Sequence, residues 1–472
     1  MRDSGRVSAA IAILEDFDKR RVPLKTAIAD WARNARYAGA KDRAWISGLC
    51  LDVLRRRSSL GAMMGDQTPR AATLAALRFQ WGKSLDEIAD LAGEEPHGPG
   101  ALREKERDVL NAVAPPFTGE LSAKRTEGGD VAFAPPPSAA PTPPPQAGEE
   151  KHQRLSILAD FPDWLEPSVT RAFGETALQE MRAFAARADV DLRINTLQTT
   201  IEKALGAVST VGAVAHPFLT TALRIAAPDA TDRTPAVTVI PAFNKGWVEV
   251  QDLGSQIAAL AAGDVKGAQV LDLCAGGGGK TLALAAMMEN KGQLYAYDND
   301  ARRLKPLYDR ARRAGIRNLQ IVNPITDKEA LEALVDKFDV VFVDAPCTGS
   351  GTWRRHPDTK WRLTEEQLAR RMEEQDAVLK SAARFVKPGG RLVYVTCSFL
   401  MEENEDRLAA FCAAHDGFEP TRTLDEMMKP GLLTQEGRGA LSPCETPDCA
   451  VRMTPARIGA DGFFVAALNR KR

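Results

Sequence analysis

Between residues 269 and 468, short runs of branched and aromatic apolar residues alternate with longer amphipathic stretches. That rhythm constrains the fold more than any other feature of the chain. The apolar runs are 269–273, 293–297, 319–322, 340–343, 391–395 and 463–468, and helical patterns at 302–314, 328–335 and 365–385 fall between them. Strands buried on both faces read as continuous apolar runs, and helical crossovers between them imply a mostly parallel, doubly wound α/β sheet. Such sheets bind ligands in the crevice beyond the carboxyl ends of their strands.

Four of those strand ends carry chemistry. The first leads into Cys274-Ala275-Gly276-Gly277-Gly278-Gly279-Lys280, a glycine turn that opens a helix. Glycines let the main chain approach a ligand closely, and the opening helix offers free amides beside it. The glycines are contiguous, which fits neither a triphosphate-binding loop nor the spaced dinucleotide pattern, and a plain strand-to-helix turn is the bland alternative. Asp298 ends the second strand, where a carboxylate can accept from both ribose hydroxyls. It could equally cap the helix that follows. Together the loop and Asp298 suit a nucleoside cofactor.

The other two ends carry thiols, Cys347 in Asp344-Ala-Pro-Cys347 and Cys397 in Val395-Thr-Cys-Ser398. Few reactions need two cysteines beside a nucleoside. Methylation of cytosine at carbon-5 is one, because that carbon is a poor nucleophile until a thiolate adds at carbon-6. S-adenosyl-L-methionine is then the natural methyl donor. Cys50, Cys274 and Cys412 read as packing residues, and the pair Cys444 and Cys449 lacks the second pair a zinc site would need.

The rest of the chain bounds the setting. At 472 residues it exceeds one ordinary core, and 44% hydrophobic with 26% charged residues is a soluble composition. It has no run long and apolar enough to span a membrane, and its seven cysteines are irregularly spaced. Reduced thiols in the cytoplasm and a monomer without metal follow. The net charge of −1 decides nothing about nucleic acid, since a neutral protein can present a basic face. Basic clusters occur at Lys19-Arg20-Arg21, Arg55-Arg56-Arg57, around Arg302, Arg303, Arg310, Arg312 and Arg313, and at Arg354-Arg355 with Lys360 and Arg362. The last, following Cys347, is placed to meet phosphates.

Helical periodicity begins at Val7, Ile11 and Leu14, recurs at Trp45, Leu49 and Leu54, and implies an all-helical domain ending near Pro115-Pro116. Prolines crowd 135–145 and predict an extended linker. A small α+β unit follows, with strands at 191–196, 223–225 and 237–240 and a helix at 201–208. The expected domains are 1–130 helical, 131–152 linker, 153–250 α+β and 251–472 catalytic.

The ordered set Phe161-Pro-Asp-Trp164, Arg193-Ile-Asn-Thr-Leu197, Val250-Gln-Asp-Leu-Gly-Ser-Gln256, the loop 274–280, Asp344-Ala-Pro-Cys347, Arg355-His-Pro-Asp-Thr-Lys-Trp361, Thr396-Cys-Ser398 and Asp461-Gly-Phe-Phe464 resembles the Nop/Sun family of RNA cytosine-5 methyltransferases. The resemblance implies a class I methyltransferase Rossmann-like sheet and an RRM-like α+β subdomain. It makes Cys397 the nucleophile and Cys347 the residue assisting product release, an order the residues alone leave open. It also implies cofactor contacts from 274–280, Asp298 and Asp344, with Asp344 catalytic beside the base, and Asn323 standing where the family has an acidic residue. The stretch Ala40-Lys-Asp-Arg-Ala44 with Gly48 and Val53-Leu-Arg55 resembles the NusB-like RNA-binding domain, which points to 16S ribosomal RNA as partner. The family loop has Ala-Pro where this chain has Gly276-Gly277, which predicts weaker cofactor affinity. Two other readings stand beside this one: the same chemistry on transfer RNA, and a non-catalytic RNA-binding ribosome-assembly factor.

Overall fold

The periodicity of the first hundred residues resolves into helices Asp3–Arg20, Leu24–Asn34, Ala40–Arg55, Arg57–Met64, Pro69–Phe79, Leu85–Gly93 and Glu104–Asn111. Their starts carry local signals: Thr68 accepts from the Ala71 amide with proline in the first turn, and Ser84 and Glu87 form a capping box. Val7, Ile13, Leu14, Ile46, Leu49, Leu74 and Leu77 fill the core. The computed structural model describes residues 1–111, 154–227 and 237–472. They form two compact units, Met1–Glu166 and Pro167–Arg472. The proline-rich segment and the expected end of the helical domain near Pro115 lie outside the described residues. Residues 154–166, expected to open the α+β region, belong instead to the helical unit: Asp160 accepts from the Ser59 amide and hydroxyl, both at 2.8 Å.

The second unit holds two sheets. In the smaller, β1 (Val190–Ile194), β2 (Val214–Ala215), β3 (Ala222–Ile225) and β4 (Val248–Val250) pair antiparallel in the order β2-β3-β1-β4. Helices Ile201–Val208 and Pro241–Asn244 link β1 to β2 and β3 to β4, which makes the split βαββαβ unit. The expected strand at 237–240 is absent. Residues Val237–Val239 form a 3₁₀ turn, and Pro241 starts a helix where a strand would need its amide. The structure adds β4, whose Val-Glu-Val is too short to read alone.

The larger sheet contains β5 (Gln269–Asp272), β6 (Gln293–Tyr297), β7 (Leu319–Val322), β8 (Phe338–Asp344), β9 (Val386–Thr396), β10 (Phe418–Thr421), β11 (Val451–Met453) and β12 (Phe463–Arg470). Its order is β10-β12-β9-β8-β5-β6-β7, with β11 against β12. The strands β5 to β9 run parallel and β12 antiparallel. Alternate residues of β8 and β9 go to opposite faces. Val340, Phe342, Val393 and Val395 enter one core, while Val341, Val343, Leu392 and Tyr394 enter the other. The chain leaves β5 toward β6 on one side and returns through β8 on the other. That reversal opens a crevice at the ends of β5 and β8.

Candidate active site

The strand that ends at Asp272 delivers the glycine loop, and the loop holds its shape by backbone freedom. Gly276 and Gly278 adopt φ of 51° and 87°. A Cβ on Gly278 would lie 2.2 Å from Leu307 Cδ1, so only glycine fits there. The helix Gly279–Met288 begins directly after the turn, with no side chain capping its first amides. At the end of β6, Asp298 is almost fully buried. Its Oδ2 accepts from the Gly276 amide and its Oδ1 from the Asp300 amide, each at 3.0 Å. The helix cap is Asp300, which accepts from the Arg302 amide, rather than Asp298. A carboxylate has about four lone-pair sites, so Asp298 retains acceptor capacity for hydroxyls.

Lys280 bridges this loop to the next strand end, its Nζ lying 2.7 Å from Asp344 Oδ2 and 5.0 Å from the Phe463 ring centroid. Burial works against its charge, but the Asp344 carboxylate outweighs burial and raises its pKa. Cys397 is among the further groups favouring the ammonium. Beyond β8 and β9 the two thiols meet, with Cys347 Sγ 3.3 Å from Cys397 Sγ. Both residues are partly exposed. The bond to Cys397 and burial together push the Cys347 thiol well up.

Side chains that carry no signal by themselves build the floor under these sulfurs. Glu403 is fully buried and accepts from the Thr348 amide at 2.8 Å, the Thr348 hydroxyl at 2.6 Å and Gln375 Nε2 at 3.0 Å. Burial raises its pKa against the Ser398 and Thr348 bonds. Gln375 also donates to Pro346 O at 2.9 Å. The hydroxyls of Ser350 and Ser398 pair at 2.8 Å, and the Gly351 amide donates to Cys397 O at 2.9 Å. The traces of this floor in the sequence are the hydroxyl residues Thr348, Ser350 and Ser398 beside the thiols and the acidic residues Glu402, Glu403 and Glu405 after the second cysteine.

Two other expected site residues are placed differently from the thiols. Cys274 packs against the core, and burial pushes its thiol up. Asn323 follows β7, where its side-chain carbonyl accepts from the Ile325 amide at 2.9 Å in a turn. The cluster expected to meet phosphates turns inward. Arg354 and Arg355 grip Asp461 at 2.9 and 2.6 Å, Arg355 also holds Asp252 at 2.8 Å, and Lys360 is buried. Cys444 is buried and Cys449 exposed, and no group of metal-ligating side chains occurs among the described residues.

Residues 259–469 match the family model described as 16S rRNA methyltransferase RsmB/F. A probable ribosomal RNA small subunit methyltransferase B of Synechocystis is 31% identical over 98% of each chain. The chain belongs to the RsmB/F family. A ribosomal RNA small subunit methyltransferase B of Sodalis glossinidius is 32% identical over 68% of this chain and 70% of its own. Among solved structures, that of PH0851 aligns over 100% of this chain and 99% of its own, with a TM-score of 0.67 at 24% identity. A methyltransferase homolog from Pyrococcus horikoshii aligns over 67% and 97%, with a TM-score of 0.53 at 25% identity. As a member of this family the chain is an S-adenosylmethionine-dependent RNA methyltransferase. The residues present fit that cofactor: a glycine turn, helix-start amides and a buried carboxylate at the next strand end. No helix among the described residues is long and apolar enough to cross a membrane.

Proposed function

We propose that this protein methylates carbon-5 of a cytosine in 16S ribosomal RNA through a cysteine-linked intermediate. The observation that carries the reading is the pair of sulfurs 3.3 Å apart beside the Lys280–Asp344 ion pair. S-adenosylmethionine supplies an electrophilic methyl group. Cys397, as thiolate, adds to carbon-6 and turns the ring into an enamine whose carbon-5 can take that methyl. The order Cys397 before Cys347 is the one the family resemblance implies. Once the carbon-5 proton has left to a base, the Cys397–carbon-6 bond breaks and Cys347 assists that release. Asp344, held by Lys280, hydrogen-bonds the ring in this reading. The target base leaves its stack to reach the crevice.

The test uses a labelled methyl donor and ribosomal RNA. Cys397→Ala should abolish transfer, and turnover by that variant would refute the nucleophile. Cys347→Ala should accumulate a covalent protein–RNA adduct that survives denaturing electrophoresis. Mapping methylcytosines in RNA from a deletion strain identifies the target, and a loss confined to transfer RNA would overturn the ribosomal assignment.

A further inference from the structure

The two glycines that replace Ala-Pro in the cofactor loop leave four consecutive residues, Gly276 to Gly279, without a side chain to restrain them. Backbone of that kind has many states to lose on ordering. The structure holds it from outside. One face of the helix Ala301–Ala314 presents Arg303, Leu307 and Arg310 at the i, i+4 and i+7 positions. Arg303 lies 3.2 Å from Asp298 Oδ2, Leu307 packs under Gly278, and Arg310 donates through Nη1 to the carbonyl of Gly277.

Arg310 is itself held from the other sheet. Glu249, buried on β4, accepts from Arg310 Nη2 at 3.2 Å through one oxygen and from Arg313 Nη2 through the other. Arg313 lies over the Phe243 ring at 4.3 Å. Asn195, at the end of β1, donates to Ala314 O at 2.9 Å, and Gly246 packs so closely on Arg313 O that a Cβ would sit 2.1 Å from it. The α+β sheet therefore fixes the helix whose arginine fixes the loop.

We propose that Arg310, braced by Glu249, is a cofactor-positioning residue that takes over the restraint a stiffer loop would supply itself. The α+β sheet then sets affinity for S-adenosylmethionine as well as any grip on RNA. This inference rests on the reading that the loop 274–280 holds the cofactor. Arg313 provides an internal control, because it shares Glu249 but bonds no loop atom among the described residues.

Calorimetry with S-adenosylmethionine on the full-length protein is the test, with thermal melting to confirm folding. Arg310→Ala should bind about tenfold more weakly, the usual scale for losing a charged hydrogen bond. Its KM for the cofactor should rise by the same factor, with kcat at saturation unchanged. Arg310→Lys should recover part of the loss. Arg313→Ala should bind within about twofold of wild type even if its melting temperature falls, since Asn195 and Gly246 still hold the helix by its backbone and no loop bond is lost. The double variant Glu249→Ala, Arg310→Ala should lose no more than Arg310→Ala, because Glu249 acts through Arg310. Equal losses for Arg310→Ala and Arg313→Ala, or additive losses in the double variant, would overturn the proposal. No binding by the wild-type protein would instead refute the cofactor site itself.

Discussion

Asp272 shows how a residue next to the cofactor loop trades stability against pH. It is fully buried, with Oδ2 accepting from the Thr281 hydroxyl at 2.6 Å and Oδ1 without a partner. Burial pushes its carboxyl up from 3.8 to about 7 despite the Thr281 bond, with Asp344 adding to the rise and Lys280 opposing it. In the unfolded chain it ionises at its ordinary value. Its contribution is therefore full below about pH 4 and is lost as pH rises through about 7. A shift of that size corresponds to an upper bound of ~4 kcal/mol. Asp272→Asn keeps an acceptor for Thr281 and removes the charge. Melting temperatures from pH 5 to 8 should fall less steeply for that variant than for wild type; parallel curves would show that Asp272 ionises without penalty.

Among the elements, the loop after β8 depends on a carboxylate supplied from beyond β9. Glu403 gathers the Thr348 amide, the Thr348 hydroxyl and Gln375, and so ties Cys347's loop to the helix Glu365–Ala383. Glu403→Ala would take the acceptor from the partly buried Thr348 amide and hydroxyl and from buried Gln375, and should cost ~1–3 kcal/mol in urea denaturation. It should also slow methyl transfer, because Cys347 would lose its fixed distance from Cys397. Full turnover in a destabilised variant would show that the loop holds itself. Sequence alone could not reveal this floor, since Thr348, Gln375 and Glu403 meet only once two strands and a helix have packed. The strands β5 to β9 were legible because each is a continuous apolar run closed by a turn. The short β10 and β11 were not, because Phe418–Thr421 and Val451–Met453 owe their pairing to β12 rather than to their own pattern. The two thiols were legible as strand-end residues, but the residues alone leave their order open, since both end strands alike and each faces the other. Arg354 and Arg355 misled because a charge run reads alike whether it faces water or Asp461.

At the scale of the whole molecule, the apolar clusters on both faces of the large sheet and behind the small one draw on residues from Val190 onward. Each compact unit thus has its own core. A fragment of residues 167–472 should fold, melt in a single transition and bind S-adenosylmethionine. Loss of the helical unit should show instead as weaker ribosomal RNA binding with a shallower salt dependence. An insoluble fragment would mean that the helical unit completes the catalytic core.

Two thiols so close also have a chemistry outside the catalytic cycle. Hydrogen peroxide can oxidise one to a sulfenic acid, which the other then attacks; a sulfur–sulfur bond forms and two waters leave in all. Because the reacting atoms already stand 3.3 Å apart, little chain movement is needed. Brief peroxide treatment should therefore silence methyl transfer, and dithiothreitol should restore it. With Cys347→Ser no sulfur–sulfur bond can form, and prolonged peroxide should carry Cys397 on to a sulfinic acid that dithiothreitol does not reverse.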